Sequence, residues 1–155
     1  MILMRHFIID GNNLIGKIKT LHRIQKKAKQ DSREKLALIL SRYFQQKKCF
    51  VSLHFDGFKK EEIKIGGIKI YYSGKHTADE RVKLEIGKIK NPKNITLITS
   101  DLNLAEYGRV CSCKVIKSED FAAQLFLSNI ADEEEHIISQ LNSSEEFKRL
   151  FGIKS

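Results

Sequence analysis

The chain has 155 residues, 41% hydrophobic and 30% charged, with a formal net charge of +9 and a pI near 9.5. That length supports one domain whose core buries about two-thirds of the surface exposed by the unfolded chain, which excludes a disordered polymer. Three cysteines, an odd number without scaffold spacing, exclude a disulfide-stapled secreted module and suit a reducing compartment.

In chain order, Met1 to Ile9 is broken by Arg5 and His6 and ends at Asp10. It is too short and polar for a signal core or a membrane span, so a cytoplasmic protein with no membrane association is expected. His6–Ile9 within it has strand character. From Lys17 to Lys48, eleven Lys or Arg meet only Asp31 and Glu34. Such a stretch fits a solvated surface, but its concentration in one segment favours a phosphate polyanion as partner. Asp31-Ser32-Arg33-Glu34 reads as a capping box, opening a helix with Leu36, Ile39, Leu40 and Tyr43 at helical spacing.

Phe50–Phe55 is a second strand and Ile68–Tyr72, entered through a Gly66-Gly67 turn, a third. Glu61–Ile65 is a candidate for a short extra pairing. Thr77-Ala78-Asp79-Glu80 is another capping box, with Glu80 as the partner of Thr77. Val82, Ile86 and Ile89 follow on one face until Asn91-Pro92 stops the helix. Ile95–Thr99 is the fourth strand. Ser100 or Asp101 then caps a short helix ended by Gly108. Cys111-Ser112-Cys113 lacks a second Cys or His pair at zinc-ligand spacing and reads as ordinary thiols. Lys114–Ile116 is the fifth strand. Ser118 caps a helix through Phe121, Leu125 and Phe126, and one or two terminal helices follow from about residue 130. Tyr43, Phe44, Phe121 and Phe126 read as core.

The first, second and fourth strands are continuous apolar or β-branched runs, the pattern of strands covered on both faces. Alternating strands and helices predict an α/β three-layer domain with a mainly parallel sheet of about five strands. No internal repeat or linker divides the chain, so residues 1–155 are expected to form one domain.

Four aspartates stand at segment ends: Asp10, Asp56 and Asp101 directly after strands, and Asp79 in the first turn of a helix. Sites in open α/β sheets form beyond the carboxyl ends of the strands, so three of these should emerge at one edge, with Asp79 joining them if its helix starts there. Any one alone fits a turn former or an N-cap, and Asp56-Gly57 fits a turn without further help. Together they suit Mg²⁺ or Mn²⁺, hard cations that prefer oxygen ligands. One or two such ions can polarise a phosphodiester, lower the pKa of a bound water and stabilise the leaving oxygen. The carboxylates would hold the metal, and the basic segment would hold the strand.

The stretch Ile8-Ile9-Asp10-Gly11-Asn12-Asn13-Leu14-Ile15 resembles the opening signature of YacP-like NYN domains, a branch of the PIN-like ribonuclease superfamily. Further matching pieces follow in order: Ser32-Arg33-Glu34-Lys35-Leu36, Phe55-Asp56-Gly57, Tyr72-Ser73-Gly74, Thr77-Ala78-Asp79-Glu80, Thr99-Ser100-Asp101 and Ser118-Glu119-Asp120-Phe121. The resemblance implies a Mg²⁺- or Mn²⁺-dependent endoribonuclease with a PIN-like sheet. It assigns metal binding to Asp10, Asp79 and Asp101, and a further acidic position to Asp56. Asn13 matches a polar position that would orient water or a phosphate. Asn12 departs from the pattern, since relatives commonly carry an aromatic residue there.

Arg33 is expected to reach a phosphate, because an Arg in a first helical turn gains nothing from the helix dipole. Lys75 and His76, beside Asp79, are candidates for clamping RNA or for stabilising charge on the scissile phosphate. Of Thr99 and Ser100, one hydroxyl would support the metal shell and the other cap a helix. Tyr71 and Tyr72 alternate, so one ring is inside while the other is available for stacking on a base. The basic helices from Ile15 to Gln46, including Lys26, Lys27 and Lys29, would guide the RNA backbone largely without sequence readout.

The expected reaction is hydrolysis of single-stranded or loop RNA (mRNA, rRNA or tRNA, with the ribosome as a candidate setting), leaving 5′-phosphate and 3′-hydroxyl ends. The alternative is a non-catalytic RNA- or ribosome-binding module on the same fold. A pure binder of polyanions gains nothing from acid beside its ligand, which favours the enzyme. A nucleotide-binding domain is disfavoured because no Gly-x-x-x-x-Gly-Lys or Gly-x-Gly-x-x-Gly run follows the first strand.

Overall fold

The computed structural model describes residues 4–142. Five strands, β1 (Arg5–Asp10), β2 (Cys49–Phe55), β3 (Lys69–Tyr72), β4 (Ile95–Ile98) and β5 (Lys114–Ile116), form one sheet in the order β3-β2-β1-β4-β5, and every pairing is parallel. The helices are α1 (Gly11–Lys17), α2 (Lys19–Lys27), α3 (Lys29–Phe44), α4 (Ala78–Lys88), α5 (Leu102–Val110) and α6 (Ser118–Asn142). All five strands coincide with the runs read from sequence, and the sheet is wholly parallel. Glu61–Ile65 forms no strand.

Alternation along β1 shows why the sheet needs two helical layers. Ile8 packs with Val82, Ile86 and Leu104 from α4 and α5. Phe7 points the other way, its ring 4.9 Å from that of Phe44 on α3. Phe44 in turn stacks at 6.2 Å on Phe121. Burying such side chains on both faces contributes about 1.5–3 kcal/mol each.

The helix boundaries carry three corrections. α3 starts at Lys29, not at Asp31, so the expected capping box does not form. Ser32 donates instead to the Lys29 carbonyl at 2.7 Å, and Glu34 accepts from the Gln30 side chain. Gly108 does not end α5, which continues to Val110. A Cβ at residue 108 would stand 2.7 Å from the end of the Leu97 side chain, so glycine lets α5 pack closely on β4, and Ser112, with φ 72°, makes the left-handed exit. α6 runs unbroken past residue 130, where one or two separate terminal helices were expected, because no Gly or Pro interrupts it. By contrast, the capping box at Thr77 forms in both directions.

The chain divides after Ala122 into two compact units. The first holds the sheet, α1 to α5 and the start of α6. The second, in its described residues, is the remainder of α6, where Phe126 is 64% exposed rather than core. The C-terminal residues beyond Asn142, where a further helix was expected, lie outside the described residues. Among the described residues no helix is long and apolar enough to cross a membrane. The three cysteines are free, and burial raises the Cys113 thiol to about 11.

Candidate active site

Strand order reverses at β1: the chain builds outward through β2 and β3, then returns to the other side of β1 with β4 and β5. In open parallel sheets the crevice at such a reversal, outside the carboxyl ends of the strands, is where ligands bind. Asp10 ends β1, and Thr99-Ser100-Asp101 follows β4, so the two segments flank this crevice.

Thr99 joins them. Its fully buried hydroxyl donates to Asp10 Oδ2 at 2.9 Å and accepts the Asp101 backbone N–H at 3.1 Å. Burial, with smaller contributions from the charges of Asp56 and Asp101, raises the Asp10 carboxyl from 3.8 to about 6, against the opposing effect of Thr99 and the Asn13 backbone. Asp10 is therefore within electrostatic reach of Asp56 and Asp101.

Asp101 also caps α5, its Oδ1 accepting from Asn103 and Leu104 N–H at 2.9 and 3.1 Å. Asp56 fastens three segments. Its Oδ1 accepts the Ala78 N–H at 2.7 Å, its own N–H donates to Asn12 Oδ1 at 2.7 Å, and its carbonyl accepts from the Arg33 guanidinium. The next residue, Gly57, has φ 85°, and its N–H donates to Ser73 Oγ at 2.9 Å. Asp56 is thus both a turn residue and a charged neighbour of Asp10, and it holds the start of α4. On that helix, Asp79 pairs through Oδ2 with Lys83 at 3.1 Å, while its Oδ1 is buried without a hydrogen-bond partner. An orphaned carboxylate oxygen is costly unless something fills its coordination.

Arg33 does not reach the surface. It is 1% exposed, donating to the Asp56 and Phe58 carbonyls, with its guanidinium carbon 5.2 and 5.4 Å from the ring centroids of Phe55 and Tyr72. The expected phosphate contact is corrected to a latch between α3 and the loop after β2. The physical reason is periodicity: Arg33 shares the buried stripe of Leu36, Ala37, Leu40 and Phe44.

Asn13 is similarly engaged, its Oδ1 accepting the Ser100 N–H at 2.8 Å and the Ser118 hydroxyl at 2.6 Å. Ser100 is half-buried, its hydroxyl donating to Glu119 and accepting the Ser118 N–H. Lys75 and His76 are exposed in the turn before α4, with His76 3.2 Å from Glu80. Lys26, Lys27 and Lys29 are exposed around the α2–α3 junction, and Lys29 Nζ lies beside Gly57, next to Asp56.

Two residues at this edge were given no role from sequence. Glu119, bonded to Ser100 and 3.4 Å from Lys17, brings a further carboxylate; the visible signal was an acid in the first turn of the helix after β5. Asn12 supplies the acceptor for Asp56, which only the folded loop could reveal.

The donor set suits a hard divalent cation: oxygen ligands, a carboxyl held back from ionising by burial and its neighbours, and an unpartnered Asp79 oxygen. As placed, no three His, Cys, Asp or Glu side chains among the described residues are grouped closely enough to hold one ion.

A family model described as "YacP-like NYN domain" matches residues 7–150. Two solved structures of Rae1 (YacP) from Bacillus subtilis are similar to this chain. One is 21% identical with a TM-score of 0.72, covering 96% of this chain and 93% of that one. The other, a tryptophan-to-leucine mutant, is 18% identical with a TM-score of 0.72, covering 92% and 86%. At these identities the likeness carries the fold. No curated protein matches.

Proposed function

The chain belongs to the YacP-like NYN domain family, and from that membership and the aspartate cluster we propose that it is a divalent-metal-dependent endoribonuclease. The observation that carries this reading is Asp10: a carboxylate raised to about 6 by burial and by Asp56 and Asp101, at the point where strand order reverses. Burial of an acid, with crowding by its neighbours, weakens a fold unless a cation relieves it.

Asp10, Asp79 and Asp101 would hold the ion, which when bound supplies Lewis-acid activation of the phosphodiester and of water. Thr99 fixes Asp10 and Asp101 relative to each other, and Asp56 fixes the helix start that carries Asp79. Lys26, Lys27 and Lys29 bind the RNA backbone beside this edge, with Lys75 and His76 bordering α4. The products would carry 5′-phosphate and 3′-hydroxyl ends.

Cleavage of mixed RNA substrates with Mg²⁺ or Mn²⁺ tests the proposal by comparing wild type with Asp10→Asn and Asp101→Asn. Wild type should cut, and both variants should lose at least about a hundredfold in rate, as for other preorganised charge-stabilising groups. Protein that binds RNA but shows the same background with and without the substitutions overturns the reading. That result would favour a non-catalytic RNA-binding module, to which the separation of the acidic side chains also lends support.

A further inference from the structure

α4 packs over β1 and β2, leaving β3 as the sheet edge; between α4 and that edge lies a cavity of 380 Å³. Four lining residues, Arg81, Leu84, Glu85 and Lys88, recur at helical spacing and share one face of α4. Arg81 and Lys88 are exposed, and Leu84 presents an apolar side chain that is 55% exposed.

The opposite wall is an aromatic ring held in place. Tyr71 stacks on His54 with centroids 4.9 Å apart and planes 13° from parallel. His54 is 3% exposed and fixed by Glu85 at 2.7 Å; Glu85 also accepts from Ser52 at 2.6 Å and lies 3.3 Å from His6. Burial works to raise the Glu85 carboxyl, but the bonds from His54, His6 and Ser52 hold it well below the usual range. The one acid of the cavity is therefore committed to the network beneath it. Lys69, exposed and outside the lining, places Nζ over the Tyr71 ring at 5.4 Å from its centroid, where a base would displace it.

This lining combines a rigid ring, an apolar side chain and cations at both ends. Rigid aromatic platforms beside basic groups are how unpaired bases and their phosphates are held, whereas a duplex cannot present a base to such a ring. The volume lies near the lower end of the roughly 300–1,000 Å³ typical of small-ligand sites, room for about one nucleotide. His54, in the lining, is the register partner of Asp10, which sets the cavity one strand away from that carboxylate.

We infer that this cavity is a subsite for one unpaired nucleotide of the RNA, with its base on Tyr71 and its phosphates between Arg81 and Lys88. The inference rests on the ribonuclease reading and gives its expected preference for single-stranded substrate a place in the fold. A strand bound here continues over the start of α4 to the carboxylates, so the subsite sets which nucleotide lies next to the cut.

The test measures kcat and KM on a short single-stranded RNA for wild type, Arg81→Ala/Lys88→Ala, Tyr71→Leu and Tyr71→Phe. In parallel, each substitution is placed in Asp101→Asn protein and the affinity for the same RNA is titrated. The first two variants should raise KM and weaken binding about tenfold with kcat within about twofold, while Tyr71→Phe, which keeps the ring, stays near wild type. Wild-type cleavage with unchanged KM in the two variants overturns the subsite and leaves the ribonuclease reading standing. Binding without cleavage moves the decision to the titration, where equal affinities overturn the subsite. Wild type that neither binds nor cuts RNA overturns both readings. Adenosine 5′-monophosphate binding that depends on Tyr71 and Arg81, with RNA affinity indifferent to both, would assign the cavity to a free nucleotide and overturn the RNA assignment.

Discussion

Replacing Asp10 by Asn removes a buried negative charge while keeping an oxygen to accept the Thr99 hydroxyl. The folded-state carboxyl titrates near 6 against 3.8 for the free group, so folding favours its protonated form. Wild-type stability should therefore fall as pH rises from 3.8 through about 6, then stay lowered. A pKa raised by about two corresponds to a loss of about 3 kcal/mol at pH ~7.5, shrinking to under about 1 kcal/mol at pH ~4. The Asp10→Asn variant lacks that titration. In chelator it should be the more stable protein at pH ~7.5 by about 3 kcal/mol, or roughly 6–12 °C in Tm for a chain of this size. Urea denaturation at the two pH values reads the difference directly. Millimolar Mg²⁺ or Mn²⁺ should then stabilise wild type and not the variant, because only the carboxylate repays ligation. A difference that does not change between the acidic and the neutral pH, or a variant less stable at neutral pH, would refute the argument from burial and crowding.

Four other outcomes follow from the geometry. Gly11→Ala would set a Cβ 2.6 Å from the His54 carbonyl oxygen and 2.7 Å from the Phe55 ring, so urea melts should show a loss of about 2–3 kcal/mol or more. Arg33→Met leaves the Asp56 and Phe58 carbonyls without their donor and should cost about 3 kcal/mol in the same assay, with RNA affinity reduced no more than global unfolding explains. Asp101→Ala should lose about 1 kcal/mol of stability that Asp101→Asn keeps, since Asn still caps α5, while both abolish cleavage. Neutralising Lys26, Lys27 and Lys29 to Gln should reduce the slope of log affinity against log salt for single-stranded RNA by about 2, measured by filter binding across salt concentrations.

The coupling of Asp56 to Ala78 ties the loop after β2 to the start of α4, the helix that carries Asp79. Asn12 and Arg33 hold the Asp56 backbone, the Asp56 carboxylate holds the first N–H of α4, and Asp79 is the next residue of that helix. Asn12 thereby supplies the acceptor for the Asp56 N–H, a role a phenylalanine at this position could not fill.

The sequence by itself determined the elements and the edge. Apolar runs such as Phe50–Phe55 form strands, Thr77 and Glu80 start α4, and parallel strands all end on one side, so Asp10, Asp56 and Asp101 had to emerge together. These features depend on residues within a few positions of one another, where backbone propensity and capping act. Tertiary structure alone decided which of those ends are neighbours. The order β3-β2-β1-β4-β5 sets Asp10 against Asp101 through Thr99, 89 residues from Asp10. It turned Arg33 inward, spent Asn13 on Ser118, 105 residues away, and built the His54–Glu85 platform beneath Tyr71. Hydrogen bonds at such separations form only after the sheet has assembled, so no local pattern records them.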